Sequence, residues 1–213
     1  MIQAIFFDFD GVIVESTDIK TDAFAKLFEH EGKCIVEQVV NYHLANMGVS
    51  RYEKFRFIYQ NILKRSLGEI EFDLLCNRFA NLVVDGVIKA PYVDGVMEFL
   101  KNYASIYQCF VVSSTPQMEI DYIILERKIH HFFKGIYGAP TRKSDAVRET
   151  LGKEQIEPDN AVFVGDALSD YWAAKDNGVN FIARINNNEA LFHDIECLKI
   201  KDLTELKTIA ARL

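Results

Sequence analysis

Short apolar runs alternate with amphipathic ones along most of the chain. Residues 2–9, 109–112, 135–137, 161–164, 181–183 and 197–200 are brief and mostly apolar. Near-continuous runs of this kind mark strands buried on both faces of a parallel sheet. From the second run onward, helical patterns separate them. Pro116 suits the first turn of a helix running to about Lys128, with Ser114 or Thr115 as its cap. Thr141 can cap a second helix that stops near Gly152, and Ser169 or Asp166 can open a third that ends near Asn177 and Gly178. The alternation predicts an α/β fold with a Rossmann-like, doubly wound parallel sheet.

One region interrupts this rhythm. Residues 15–91 contain no strand pattern, only apolar positions at helical spacing: Ala23, Phe24, Leu27 and Phe28, then Phe55, Ile58, Tyr59 and Ile62, then Phe72, Leu75, Phe79 and Val83. Four helices between the first and second strands predict an inserted α-helical cap over 15–91. Residues 1–14 and 92–213 would then form the core. The aromatic residues of the insert are expected to pack against one another.

Composition narrows the class. A chain of 213 residues with 49% hydrophobic content can fill one large core and a smaller inserted module. The net charge of -7 offers no footprint for nucleic acid or an anionic membrane, so an anionic ligand needs cations supplied locally. No uncharged apolar stretch is long enough to span a bilayer. Cys34, Cys76, Cys109 and Cys197 lack the spacing of a zinc site or a disulfide framework. The expectation is a cytoplasmic protein with reduced thiols.

Ligands of such sheets bind beyond the carboxyl ends of the strands, and the residues predicted there are polar. Asp8 and Asp10 follow the first strand in "IFFDFDGVIVES", Ser113 and Ser114 the second in "FVVSSTP", and Asp166 and Asp170 the fourth in "VFVGDALSD". Lys143 opens the helical pattern after the third. Carboxylates gathered this closely repel one another unless a cation joins them, and an oxygen-only donor set suits Mg²⁺. A hydroxyl, strand-to-helix amides and a lysine are the parts that hold a phosphoryl group. Together they suggest phosphoryl transfer with an aspartate nucleophile. Other roles exist for each residue: Asp166 and Asp170 can cap the helix near Ser169, and Lys143 can belong to a solvated helix face.

"DFDGVIVES", "VVSS", Lys143 and "GDALSD", in that order, resemble the four motifs of the haloacid dehalogenase-like hydrolases, in the branch with a helical cap between the first two. The resemblance implies that Asp8 is the nucleophile and Asp10 the general acid and base. It implies that Ser113 and Ser114 contact the phosphoryl group, and that Lys143 neutralises it and orients Asp8. It further implies Mg²⁺ held by Asp8, the backbone carbonyl of Asp10, Asp166 and Asp170, the last as ligand or support. The activity implied is hydrolysis of a small phosphorylated metabolite, phosphoglycolate-like or a sugar phosphate. "GVSR" resembles the cap loop of β-phosphoglucomutase and makes Arg51 a candidate for a second anionic group of the substrate, although a charged helix start explains Arg51 equally well. That resemblance keeps a sugar-phosphate mutase as the second reading, but Ser16 and Lys20 stand where the mutase has a threonine and a histidine. A non-catalytic phosphate-binding or signalling module is the third. The five histidines are expected at the surface or in packing roles, and Tyr171 and Trp172 in packing roles.

Overall fold

The computed structural model describes residues 1–186 and 189–213. Six strands, β1 (Ala4–Phe7), β2 (Gln108–Pro116), β3 (Gly135–Ala139), β4 (Ala161–Gly165), β5 (Asn180–Arg184) and β6 (Leu198–Ile200), form one parallel sheet in the order β3-β2-β1-β4-β5-β6. The chain steps outward one way from β1 and the other way from β4. The carboxyl ends of these two central strands are therefore the topological switch point, where such sheets bind ligands.

Between β1 and β2 lie α1 (Thr17–Leu27), α2 (Lys33–Ala45), α3 (Arg51–Phe57) and α4 (Glu69–Lys89). The remaining helices are α5 (Val96–Tyr103), α6 (Gln117–Glu126), α7 (Lys143–Glu154), α8 (Leu168–Lys175) and α9 (Leu206–Ala210). Alternation along β1 sends Ile5 and Phe7 to one face of the sheet and Ala4 and Phe6 to the other. Ile5 and Phe7 share a core with Phe99 of α5, Ile120 of α6 and Leu206 of α9. Phe6 lies between Phe110 and Phe163, with ring centroids 5.3 and 6.2 Å away, in a core closed by Ala146 and Val147 of α7 and Ala173 of α8. Both faces are thus covered, which is why the strands read as unbroken apolar runs.

Phe24, Phe28, Phe55 and Phe79 build the interior of the insert, with the Phe24 and Phe79 rings 4.7 Å apart. The chain enters and leaves through two adjacent segments. The Glu15 amide donates to the Pro91 carbonyl at 3.0 Å and the Val93 amide to the Ile13 carbonyl at 3.1 Å. Arg184 at the end of β5 clamps this junction, donating to both Glu15 carboxylate oxygens at 2.6 and 3.0 Å and to the Gly11 carbonyl at 3.2 Å.

Several element ends differ from the sequence expectation. β2 continues to Pro116, so Ser113, Ser114 and Thr115 are strand residues and none of them caps α6. α7 starts at Lys143, because Thr141 is taken up in a turn whose amide donates to the Gly138 carbonyl. α8 starts at Leu168 after Ala167, whose amide is satisfied by the Asp170 carboxylate at 3.1 Å. Trp172 is half exposed rather than packed. No helix among the described residues is long and apolar enough to cross a membrane.

Candidate active site

β1 ends at Phe7 and delivers Asp8 at the switch point, held in line by its amide, which donates to the Val164 carbonyl of β4 at 3.0 Å. One strand over, β4 delivers Asp166 just past Gly165, and the first turn of α8 supplies Asp170. Carboxylate oxygens of Asp8, Asp166 and Asp170 lie within 4.8 Å of one another, and all three side chains are buried. Lys143 enters from the first residue of α7, with its Nζ 3.0 Å from Asp8 Oδ2 and 2.6 Å from Asp170 Oδ1. One buried ammonium therefore faces three buried acids.

This imbalance shapes the local chemistry. Burial raises the Asp8 carboxyl to about 7, with Asp170 and Asp10 pushing the same way against the pull of Lys143. Asp166 is raised well above the usual carboxylate range by burial and then by Asp8 and Asp170. The Lys143 ammonium loses solvation, yet Asp170 and Asp8 more than offset that loss and hold its proton more tightly than usual. A small, hard divalent cation among the three carboxylates would complete the charge balance, and the all-oxygen donor set fits one.

Asp10 is kept apart from this cluster. Its carboxylate accepts hydrogen bonds from Ser16 Oγ at 2.6 Å and Thr115 Oγ1 at 3.2 Å, and it pairs with the Lys20 ammonium. Lys20 also donates to Thr115 Oγ1 at 2.9 Å. Burial favours the neutral acid, but Lys20 and these donors outweigh it and hold Asp10 below the ordinary carboxylate range. Two aspartates one residue apart thus occupy opposite electrostatic environments.

Gly11 makes the turn after Asp10 possible. It sits at φ +77°, and a Cβ there would approach Asp166 Cγ to 2.8 Å and Thr17 Oγ1 to 3.1 Å. Gly11→Ala is expected to displace the Asp166 carboxylate, to destabilise the protein by roughly 1–3 kcal/mol and to cut turnover at least tenfold. Thermal denaturation and a turnover assay check both effects, and wild-type values in both would remove this steric account.

The insert closes over the strand ends. Ser114 Oγ donates to the Gly48 carbonyl, and the Arg51 guanidinium forms two hydrogen bonds with Glu119 of α6, at 3.0 and 2.5 Å. The cavity between them is lined by Asp8, Asp10, Asp166 and Lys143 from below and by Phe24 and Lys54 from above.

The model of the haloacid dehalogenase-like hydrolase family matches residues 5–184. The chain belongs to that family. Phosphoglycolate phosphatase 1 of Pseudomonas aeruginosa is 25% identical over 215 aligned positions, covering 96% of this chain and 78% of that one. Among solved structures, the β-phosphoglucomutase of Clostridium difficile superposes with a TM-score of 0.80 at 20% identity, covering 100% and 96% of the two chains. The hydrolase YfnB of Bacillus subtilis, solved with magnesium bound, gives 0.69 at 15% identity over 99% of each.

Of the residues singled out in this hydrolase from sequence, Asp8, Lys143, Asp166 and Asp170 come together as one cluster, and Asp10 stands beside it with its side chain turned to other partners. Ser114 lines the cavity. Ser113 is buried, its Oγ accepting from the Thr115 amide at 3.1 Å. Arg51 lines the cavity too, but its charge is taken up by Glu119. Sequence reasoning missed the contact of Thr115 with Asp10, the approach of His43 to the cavity and the pairing of Glu119. Arg51 and Lys54 carried one signal, since a spacing of three puts them on the same face of α3; nothing local marks Glu119.

Proposed function

We propose that this enzyme is a Mg²⁺-dependent phosphatase that hydrolyses a small phosphorylated metabolite, phosphoglycolate-like or a sugar phosphate, through an aspartyl-phosphate on Asp8. The observation that carries the reading is the contrast between Asp8, beside Lys143 and the other two acids, and Asp10, held off that cluster by Ser16, Lys20 and Thr115. Asp8, Asp166 and the Asp10 carbonyl would hold the ion, with Asp170 in support. Bound there, Mg²⁺ would supply positive charge that keeps Asp8 ionised and screens it from the incoming phosphate.

The residues then divide the work. Asp8 attacks phosphorus as the bond to the leaving oxygen breaks, and Lys143 lies against Asp8 Oδ2, where the transferred charge must be balanced. The leaving oxygen takes a proton from Asp10, which Asp10 draws from the Lys20 ammonium, and the proton that Asp10 accepts in the second half passes back to that amine. In the second half, Asp10 accepts a proton from the water that attacks the aspartyl-phosphate, releasing inorganic phosphate and restoring Asp8. Asp170 orients Lys143 while its other oxygen accepts from the Ala167 amide. Residues 15–91 act as the cap. Opening it separates Arg51 from Glu119, Gly48 from Ser114 and Lys20 from Asp10, and closing it excludes water during transfer.

The test is phosphate release from a panel of phosphorylated metabolites and one aryl phosphate, with Mg²⁺ and with chelator. Mg²⁺-dependent release is expected. Interconversion of sugar phosphates without net release would favour a mutase instead, and neither activity would leave a binding or signalling role.

A further inference from the structure

The cavity is lined by four lysines and arginines, and three of them are neutralised within the protein. Lys143 pairs with Asp8 and Asp170, Lys20 with Asp10, and Arg51 with Glu119. Lys54, one turn beyond Arg51 on α3, is the exception. It is 3% exposed, yet its polar contact is with a neutral group: Nζ lies 2.9 Å from Nδ1 of His43, with the Phe24 ring 5.4 Å away. No carboxylate pairs with it among the described residues.

An ammonium only donates, so His43 Nδ1 accepts and the imidazole proton sits on Nε2. That Nε2 is itself buried and has no hydrogen-bond partner among the described residues. Two buried donors, one of them charged, are therefore unmatched by any acceptor of opposite charge. Burying a cation this way is costly unless a counter-charge arrives. Burial, helped by Lys20 and Lys143, brings the Lys54 ammonium down to about 7, and His43 falls to about 3 through burial and Lys54. An incoming anion relieves Lys54 and cannot be replaced by a neutral hydroxyl in that respect.

We infer that Lys54, supported by His43, is the specificity-determining pair that seats a second anionic group of the substrate, while Arg51 is held by Glu119. The substrate class is then a small phosphate monoester that also bears a carboxylate or a further phosphate, rather than a phosphate ester with a neutral tail. This rests on the phosphatase reading for the identity of the first phosphate site.

Binding of three non-hydrolysable probes to the Mg²⁺-loaded protein, measured by calorimetry, tests the inference without relying on turnover. The probes are 3-phosphonopropionate, propane-1,3-bisphosphonate and n-butylphosphonate. At least one of the two anionic-tailed probes should bind tenfold or more tightly than the neutral-tailed one. The pattern of preference then says whether carboxylate or phosphate is the natural tail. Lys54→Met should erase the preference, Lys54→Arg should retain most of it, and Lys54→Gln, which keeps a donor for His43, serves if the methionine variant does not fold. Equal binding of all three probes by the wild type, or a preference that survives loss of the Lys54 charge, overturns the inference and leaves the phosphatase reading standing. Binding of none of them overturns both.

Discussion

Asp8→Asn is expected to lower phosphate release by about 10⁴-fold or more while leaving the fold intact. The carboxamide keeps the shape of the side chain and can still accept from the Phe9 amide, which lies 2.7 Å from Asp8 Oδ1, but it has no anionic oxygen to attack phosphorus. Because Lys143 still has Asp170 as a partner at 2.6 Å, the variant should bind phosphate analogues at near-normal affinity. The loss should therefore fall on kcat rather than KM. Single-turnover release and analogue binding separate the two, and turnover within tenfold of wild type would remove Asp8 from its assigned role.

Lys143→Met should affect stability as well as turnover. The ammonium is buried between Asp8 and Asp170, and its removal leaves Asp8, Asp166 and Asp170 facing one another without an internal cation. Breaking a buried pair by deleting one partner typically costs about 3–5 kcal/mol, and loss of a group that balances charge on the transferring phosphoryl typically costs about 10²–10³ in kcat. The variant is expected to melt well below the wild type in chelator and to recover part of the difference in millimolar Mg²⁺. An unchanged melting temperature in chelator would show that the acids relieve their repulsion by another route. A loss of stability with full turnover would make Lys143 a purely structural counter-charge.

The core was legible in the sequence for a physical reason. Strands such as β1 and β4 are covered on both faces, so Ile5, Phe6 and Phe7 or Val162, Phe163 and Val164 give unbroken apolar runs, and the acids that follow them stand out. The polar end of β2 was not legible, because Ser113, Ser114 and Thr115 resemble a turn although they continue the strand. The start of α7 was displaced for a similar reason, the turn at Thr141 delaying the helix to Lys143. Contacts across the cavity were hidden for a different reason. Lys20 with Asp10, Lys54 with His43, and Arg51 with Glu119 depend on how the insert seats against the sheet, and no local pattern encodes that placement. Arg51 shows the consequence: its position near the site could be anticipated, but its pairing with α6 could not.

Lys20 belongs to α1 of the insert, while the Asp10 and Thr115 it joins belong to the sheet-bearing half. The groups that hold the Asp10 carboxylate are therefore divided between two segments that a protein engineer would be inclined to treat as interchangeable parts. Transplanting residues 46–54 from another family member changes the side chains above the cavity and leaves Lys20 in place. Exchanging the whole of 15–91 replaces Ser16 and Lys20 as well, so such a chimera needs a matched partner for Asp10 before its substrate preference has any meaning.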